Sequence, residues 1–361
     1  MTAHAPLTSG DLFLALAVVI GLDALLLAAI ALAKIRRERA ERFEALVRDD
    51  LTERLFPLLE GAAVTVSLPP SGGARSRVAF ETVLSLIAVL KGEARDRLVA
   101  LLEDAGYIGY LVRRSRTKNT ALRMRCMMRL GATRSLRAVP RLTAVLLRDR
   151  SPEVRIVAAE ALGAIGHPPS VSVLLEAARD PTRVQELRLA NVLSGMGTTA
   201  LPALQRVLLE SDTRLLSLAL DILIDIGTIT DPAPVVKLLT HRSPEVRARA
   251  ALLLGLAGVI EAIPALVFAS RDSVWFVRLR IVKALAAIGL PDDEQGRSAY
   301  FAALTHLLYD DSWHVRRNAA AALAAAGPAG REILAGAASE VARAALQFYE
   351  LHRGRHMATV L

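Results

Sequence analysis

The sequence predicts an all-α fold: an α-solenoid of stacked helical pairs, preceded by one N-terminal transmembrane helix. Three observations carry that reading. A short motif recurs: Ser151-Pro152-Glu153-Val154-Arg155, Ser243-Pro244-Glu245-Val246-Arg247, Val277-Arg278 and Val315-Arg316. Twelve residues after each Val stands a glycine: Gly166, Gly258, Gly289 and Gly327. A long apolar run, Leu12 to Ala33, lies near the N-terminus. A fixed period of 20–50 residues signals stacked supersecondary units in place of one globular core.

The apolar run counts 22 residues, interrupted only by Gly21 and Asp23. As a helix it would be about 33 Å long, enough to cross a bilayer core. Thirteen of its residues are Leu, Ile, Val or Phe, and together they outweigh one central Asp at roughly +3 kcal/mol. No Lys or Arg precedes it, whereas Lys34, Arg36, Arg37, Arg39 and Arg42 follow. The positive-inside rule then leaves the N-terminus outside and residues 34–361 in the cytoplasm of a single-pass inner-membrane protein. A cleavable signal peptide would need its basic residues on the other side. Asp23 is an ionisable group near mid-bilayer, and such groups often pair within a membrane complex. Ala17, Gly21, Ala24, Ala28 and Ala31 form a line of small residues that permits close helix packing.

Residues 1–33 are thus the tip and span, and 34–77 a juxtamembrane helix and linker. Phe43, Val47, Leu51 and Leu55 recur at four-residue steps in a charged segment that Pro57 should kink or end. Ala63–Leu68 is the best strand candidate in the chain and is short. Ser67 to Gly73, with Pro69, Pro70 and Gly72, reads as linker. The solenoid is expected over 78–353, and 354–361 is a tail.

Within the solenoid each unit reads as two helices. Ser151, Asp180, Asp231 and Ser243 each precede a proline. The side-chain oxygen caps free amides, and Pro suits the first turn. From Val154, apolar residues follow at helical spacing: Ala158, Ala161, Leu162 and Ile165. Val246, Val277 and Val315 begin the same stripe. Glycine closes each helix in a left-handed cap. Two degenerate copies, closed by Gly197 and Gly227, fill the gap between Gly166 and Gly258. The other helix of each pair starts near Pro140, Pro202 and Pro264. Residues 290–297 read as a loop insertion, and about 329–352 as a terminal pair.

These motifs resemble HEAT repeats, particularly the short bacterial type of the phycobilin lyases, with its Val-Arg-x-x-Ala-x-x-Ala-Leu-Gly helix. The resemblance covers roughly residues 78–353. The copies at 182–197 and 213–227 depart from it, lacking the Val-Arg start. The chain is also similar to bacterial membrane-anchored HEAT-repeat proteins, through its N-terminal span and the run from Asp310 to Ala319. That similarity implies a membrane glycosyltransferase of an envelope polysaccharide system as partner. The arginines after each Val, Arg155, Arg247, Arg278 and Arg316, are expected to join repeats through turn acids.

The composition, 53% apolar but 4% aromatic, suits an Ala/Leu-rich solenoid. The single cysteine, Cys126, excludes an intramolecular disulfide framework. The formal net charge of +9 is concentrated: from Arg113 to Arg150 stand twelve basic residues and one acid. Arg113, Arg114, Arg116, Lys118, Arg123, Arg134, Arg137 and Arg141 are the candidate basic surface, for anionic lipid headgroups or an acidic membrane partner, against the alternative of a solvated face. Nucleic acid is an unlikely partner, since few aromatics interleave with the charges. Trp275 and Trp313 precede their Val-Arg pairs equivalently, as a binding ridge or as packing between turns. His352 and His356 alone have metal-like spacing, and no thiol or suitably placed acid joins them. The sequence holds no Gly-rich phosphate loop, nucleophile elbow or HExxH. The expected function is a non-enzymatic, cofactor-free scaffold that docks partners beside a membrane. The alternatives are a bilin lyase or isomerase, by fold analogy alone, and a nucleic-acid-associated solenoid.

Overall fold

A computed structural model describes residues 9–62, 64–180 and 186–351. Among them are nineteen α-helices and no strand. The chain divides into two compact units. One runs through Arg116 and takes in Ala132–Arg137; the other holds Thr117–Gly131 and Ala138 onward.

The first unit contains α1 (Ser9–Leu59), α2 (Ala74–Val89), α3 (Gly92–Asp104) and α4 (Tyr107–Arg114). The narrow apolar stripe of α1 does what its spacing implies: Val47, Leu51 and Leu55 are buried, while Phe43 stays exposed. Arg77 and Arg75 of α2 reach Glu44 and Asp50 of α1 at 3.2 and 3.5 Å. Arg97 donates to the carbonyls of Leu58 and Leu59, satisfying acceptors that a helix end leaves free. Pro57 lies inside α1, which ends two residues later. Residues 64–68 form no strand; with Pro69 and Pro70 directly after them, no ladder could extend. The backbone of α1 is helical through the apolar run, but side chains are described only at 22, 23 and from 25 on. Among the described residues no helix is long and apolar enough to cross a membrane.

In the second unit, α5 (Thr120–Ala132) precedes seven helical pairs. They are α6 (Val139–Arg148) with α7 (Pro152–Ile165), α8 (Pro168–Ala178) with α9 (Glu186–Gly195), and α10 (Leu201–Val207) with α11 (Thr213–Ile226). Then come α12 (Ala233–Lys237) with α13 (Pro244–Leu256), α14 (Ile263–Ala269) with α15 (Trp275–Ile288), α16 (Glu294–Leu307) with α17 (Trp313–Ala325), and α18 (Pro328–Gly336) with α19 (Glu340–Leu351). Each second helix packs on the next, from α7 through α19.

The predicted stripe is the core. Val154, Ala158, Ala161 and Leu162 are buried, as are Val277, Ile281, Ala284 and Leu285. The last stripe position rises out of it, because Ile165 and Ile288 are only half-buried. Ser151 and Ser243 cap α7 and α13, accepting from the Val154 and Val246 amides at 3.4 Å. Gly166 and Gly227 are left-handed, with φ of 73° and 74°. Gly289 and Gly327 differ from the expected cap: ψ is −165° in both, with φ of 89° and 91°. That region is open essentially to glycine alone. The second half of the insertion at 290–297 is helix, since α16 starts at Glu294, capped by Asp293 at 2.6 Å from the Gly296 amide.

The repeats are joined by arginine. Arg247 grips Asp272 in the next turn with two hydrogen bonds of 2.6 and 2.9 Å. Arg278 grips Asp310 in the same way, at 2.5 and 2.9 Å. Arg123 holds Asp149 at 3.0 and 3.1 Å. The remaining guanidinium nitrogen binds the arginine's own turn: Arg247 the His241 carbonyl, Arg278 that of Asp272, Arg155 that of Asp149 and Arg316 that of Asp310. Each acid also accepts an amide two residues on, at Ser151, Val274 and Ser312. Burial pushes the Asp272 and Asp310 carboxyls up, but the paired arginine and the amide outweigh it, and both stand below the usual carboxylate range.

Glycines set the spacing of second helices. A β-carbon on Gly255 of α13 would lie 2.6 Å from the Ala284 α-carbon of α15, and one on Gly131 of α5 2.7 Å from that of Ala161. Gly255→Ala should therefore destabilise, with about 1–3 kcal/mol of overpacking exceeding the gain of about 1 kcal/mol in helix propensity. Gly195→Ala, whose β-carbon meets nothing within 4 Å, should not lose stability. Urea unfolding of the two variants separates them; equal stability gains would refute the close contact. A second measurement addresses the ladder. The Asp310 carboxyl is depressed in the folded state, so its contribution is complete above the unfolded value of about 3.9 and lost as pH falls through the folded one. Asp310→Asn should lower stability by a constant amount above about pH 5, and the gap to the parent should close below about pH 4. A gap that stays open in acid would show that Asp310 acts without its charge.

Candidate docking surface

With the stripes buried and the turns latched, each second helix is left with one solvated face. On α15 that face is Trp275, Leu279 and Lys283 at four-residue steps, with Phe276 and Arg280 beside them. The four helices α9, α11, α13 and α15 line one open groove of about 950 Å³. Its other walls include Leu187 and Asn191 of α9, Asp221 and Asp225 of α11, and Glu245, Arg249 and Leu252 of α13.

Polar cross-links brace the groove floor. Arg249 of α13 meets Asp221 of α11 at 2.7 Å. Ser194 of α9 donates to Asp225 of α11 at 3.0 Å. Arg188 of α9 reaches Glu160 of α7 at 3.2 Å. The Ser243 hydroxyl donates to Glu245 at 2.7 Å and holds that carboxyl below its ordinary range. The two ion pairs are solvated, so each adds at most about 1 kcal/mol, and the use of all these contacts is to order side chains at the surface.

Past α15 the face turns aromatic. Trp275 and Trp313 begin α15 and α17 and are 46% and 52% exposed. His314 lies between them, stacked on Trp275 at 5.8 Å and edge-on to Trp313 at 5.3 Å. The Arg317 guanidinium sits 5.5 Å from the Trp313 ring centre. A second groove of about 430 Å³ continues between α17 and α19, lined by Trp313, Arg317, Ala321, Val341 and the exposed Phe348. Trp275 thus packs across the turn on His314, while both tryptophans keep about half their surface in water.

The basic stretch is not one set of residues. Arg113, Arg114, Arg116, Arg134 and Arg137 belong to the first unit, and Lys118, Arg123 and Arg141 to the second. Arg113, Arg116, Lys118 and Arg134 are exposed and Arg141 half-buried. Arg123 is a ladder residue, its side chain 14% exposed against Asp149. Its register was legible: Leu122-Arg123 stands where other copies have Val-Arg, with Asn119 capping at 3.0 Å from the Leu122 amide. Arg137 pairs with Glu103 at 2.9 Å, and Arg114 lies against Tyr110, hydrogen-bonded to its hydroxyl at 2.5 Å. Asp23 is exposed on α1. Cys126 is buried. His352 and His356 lie outside the described residues; among those described, no group of three His, Cys, Asp or Glu could hold a metal ion. The groove residues Asp221, Arg249, Arg280 and Lys283 escaped the sequence reading because exposed positions on a helix carry no periodic signal of their own.

Residues 110–194, 139–224 and 232–324 match the family model for HEAT repeats. No curated protein matches the chain significantly. Among solved structures, an engineered protein is similar at 20% identity, covering 82% of this chain and 87% of its own, with a TM-score of 0.40. Human deoxyhypusine hydroxylase is similar at 20% identity over 78% of this chain and 97% of its own, at 0.30. The karyopherin Kap121p bound to the SUMO protease Ulp1p is similar at 14% identity over 78% of this chain, at 0.49; the chain spans 34% of that protein.

Because the ridge is outside the core, Trp313→Ala should lower stability by no more than about 1 kcal/mol, against about 2–5 kcal/mol for Leu254→Ala in the stripe. Equal losses in thermal unfolding would make Trp313 a packing residue only.

Proposed function

The chain belongs to the HEAT-repeat family, and from that premise we propose that it is a membrane-anchored scaffold that docks partner proteins through the second-helix groove. The observation that carries this reading is the groove from α9 to α15, whose side chains are ordered by cross-links yet left in solvent. Stacked repeats supply area in a form that suits binding. The role is one of binding without catalysis.

Anchoring is supported by the apolar run in α1, where Leu22, Leu25, Leu26, Leu27 and Ile30 are all more than half exposed, and by the one-sided basic flank that follows. An anchor would raise the effective concentration of the solenoid beside membrane partners, with the repeats on the cytoplasmic side. The partner implied by the sequence resemblance is a membrane glycosyltransferase, and the exposed arginines of the basic stretch would add attraction to anionic headgroups.

Two measurements test this. The full chain should resist alkaline extraction from membranes, and a reporter after Leu361 should read as cytoplasmic; a released form beginning near Lys34 would exclude the anchor. A photo-crosslinking residue placed at Leu187 or Arg249 should give a discrete adduct in membranes, and one at the exposed Phe268 of α14 should not. Equal adducts from both sides, or none, would remove the groove as the docking surface.

A further inference from the structure

The groove is electrically graded along the chain, and the geometry points to its occupant: an extended peptide segment of a partner protein, with acidic side chains alternating with apolar ones, seated on Trp275, Trp313, Arg280 and Arg317. The proposal deepens the docking reading above and rests on it. Charge complementarity carries it. At the α11 end the face bears Asp221 and Asp225, and α13 bears Glu245 with Arg249, whose charge is taken by Asp221. From α15 the sign reverses: the solvated stripe of α15 adds Arg280 and that of α17 adds Arg317, against one acid in the second groove, Glu340 of α19. Arg280 is exposed, and Arg317 is held over the Trp313 ring with its outer edge in water.

Shape points the same way. The cations flank indole rings that keep about half their surface exposed, and Phe348 extends the apolar wall. An aromatic plate beside a guanidinium takes an aliphatic side chain next to a carboxylate, the one by burial and the other by a charge-assisted hydrogen bond. Packed helices are about 8–10 Å apart. Crossing from α13 to α17 thus takes roughly 20 Å, about six residues of extended chain. Alternation suits an extended strand, whose successive side chains point to opposite faces.

Trp275 and Trp313 are the only tryptophans in the chain, so intrinsic fluorescence reads this site without a label. The full chain, held in nanodiscs of zwitterionic lipid, is titrated with alternating Glu-Leu, Lys-Leu and Ser-Leu peptides of about eight residues, roughly 26 Å extended, and with oligothymidylate. The Glu-Leu peptide should shift the emission saturably. Arg280→Glu with Arg317→Glu should weaken that binding by at least about tenfold, with far-ultraviolet circular dichroism unchanged. Arg206→Glu, on the exposed side of the first helix α10 and outside both grooves, should leave it intact. No saturable shift, equal response to the Lys-Leu or Ser-Leu peptide, or tighter binding of oligothymidylate would overturn the proposal. The crosslinking experiment separates the two readings. If Arg249 adducts persist while the peptide does not bind, the occupant is wrong and the docking surface stands; if adducts vanish while the peptide still binds, the reverse holds.

Discussion

The structure of the second unit depends on a bidentate arginine–aspartate pair repeated at the turns. A solenoid has no central core, so each repeat is positioned only by its neighbours. Apolar stripes of Ala, Leu and Val bury area but specify direction weakly, because small side chains slide on one another. The Arg278 fork removes that freedom. Two of its nitrogens fix Asp310 of the next turn and the third fixes the Asp272 carbonyl of its own. Asp310 in turn accepts the Ser312 amide that opens α17. One residue thereby ties the start of a helix, the preceding turn and the following turn. The side chains are 13% and 4% exposed, so removing one partner would strand a charge away from water.

The ladder also explains what is left over. With Arg123, Arg247 and Arg278 each spent on an acid in the next turn, and the glycine–alanine contacts drawing second helices together, another face of those helices is left toward solvent. It is there that the charges stay solvated and the tryptophans stay half exposed. Among the described residues Arg316 holds only carbonyls of its own turn, and the ladder ends with it. The face continues one helix further, through Phe348 of α19.

Much of the fold was legible because its determinants are local. Ser151 and Ser243 cap, Pro152 and Pro244 follow, and the stripe from Val154 or Val277 is buried where the helical period places it. The misreadings are equally specific. Gly289 and Gly327 have the positive φ expected of a left-handed cap, but their ψ of −165° lies outside it. Asp292 and Asp293 look like loop residues, yet Asp293 is a cap and starts α16. Arg123 looked like part of a basic surface because twelve cations cluster in sequence; only the fold brings Asp149 against it.

What the sequence by itself determined is therefore the repeat: its period, its two helices, its caps and its buried stripe, all properties of residues within about a turn or two of one another. The tertiary structure decided which charges are structural and which are offered. Arg247 and Arg280 are both arginines on second helices, and composition cannot separate them. The first meets Asp272, twenty-five residues on, and is consumed; the second projects into the groove beside Trp275. That distinction follows from the direction each side chain leaves its helix and from what the neighbouring repeat places there, which no single segment encodes.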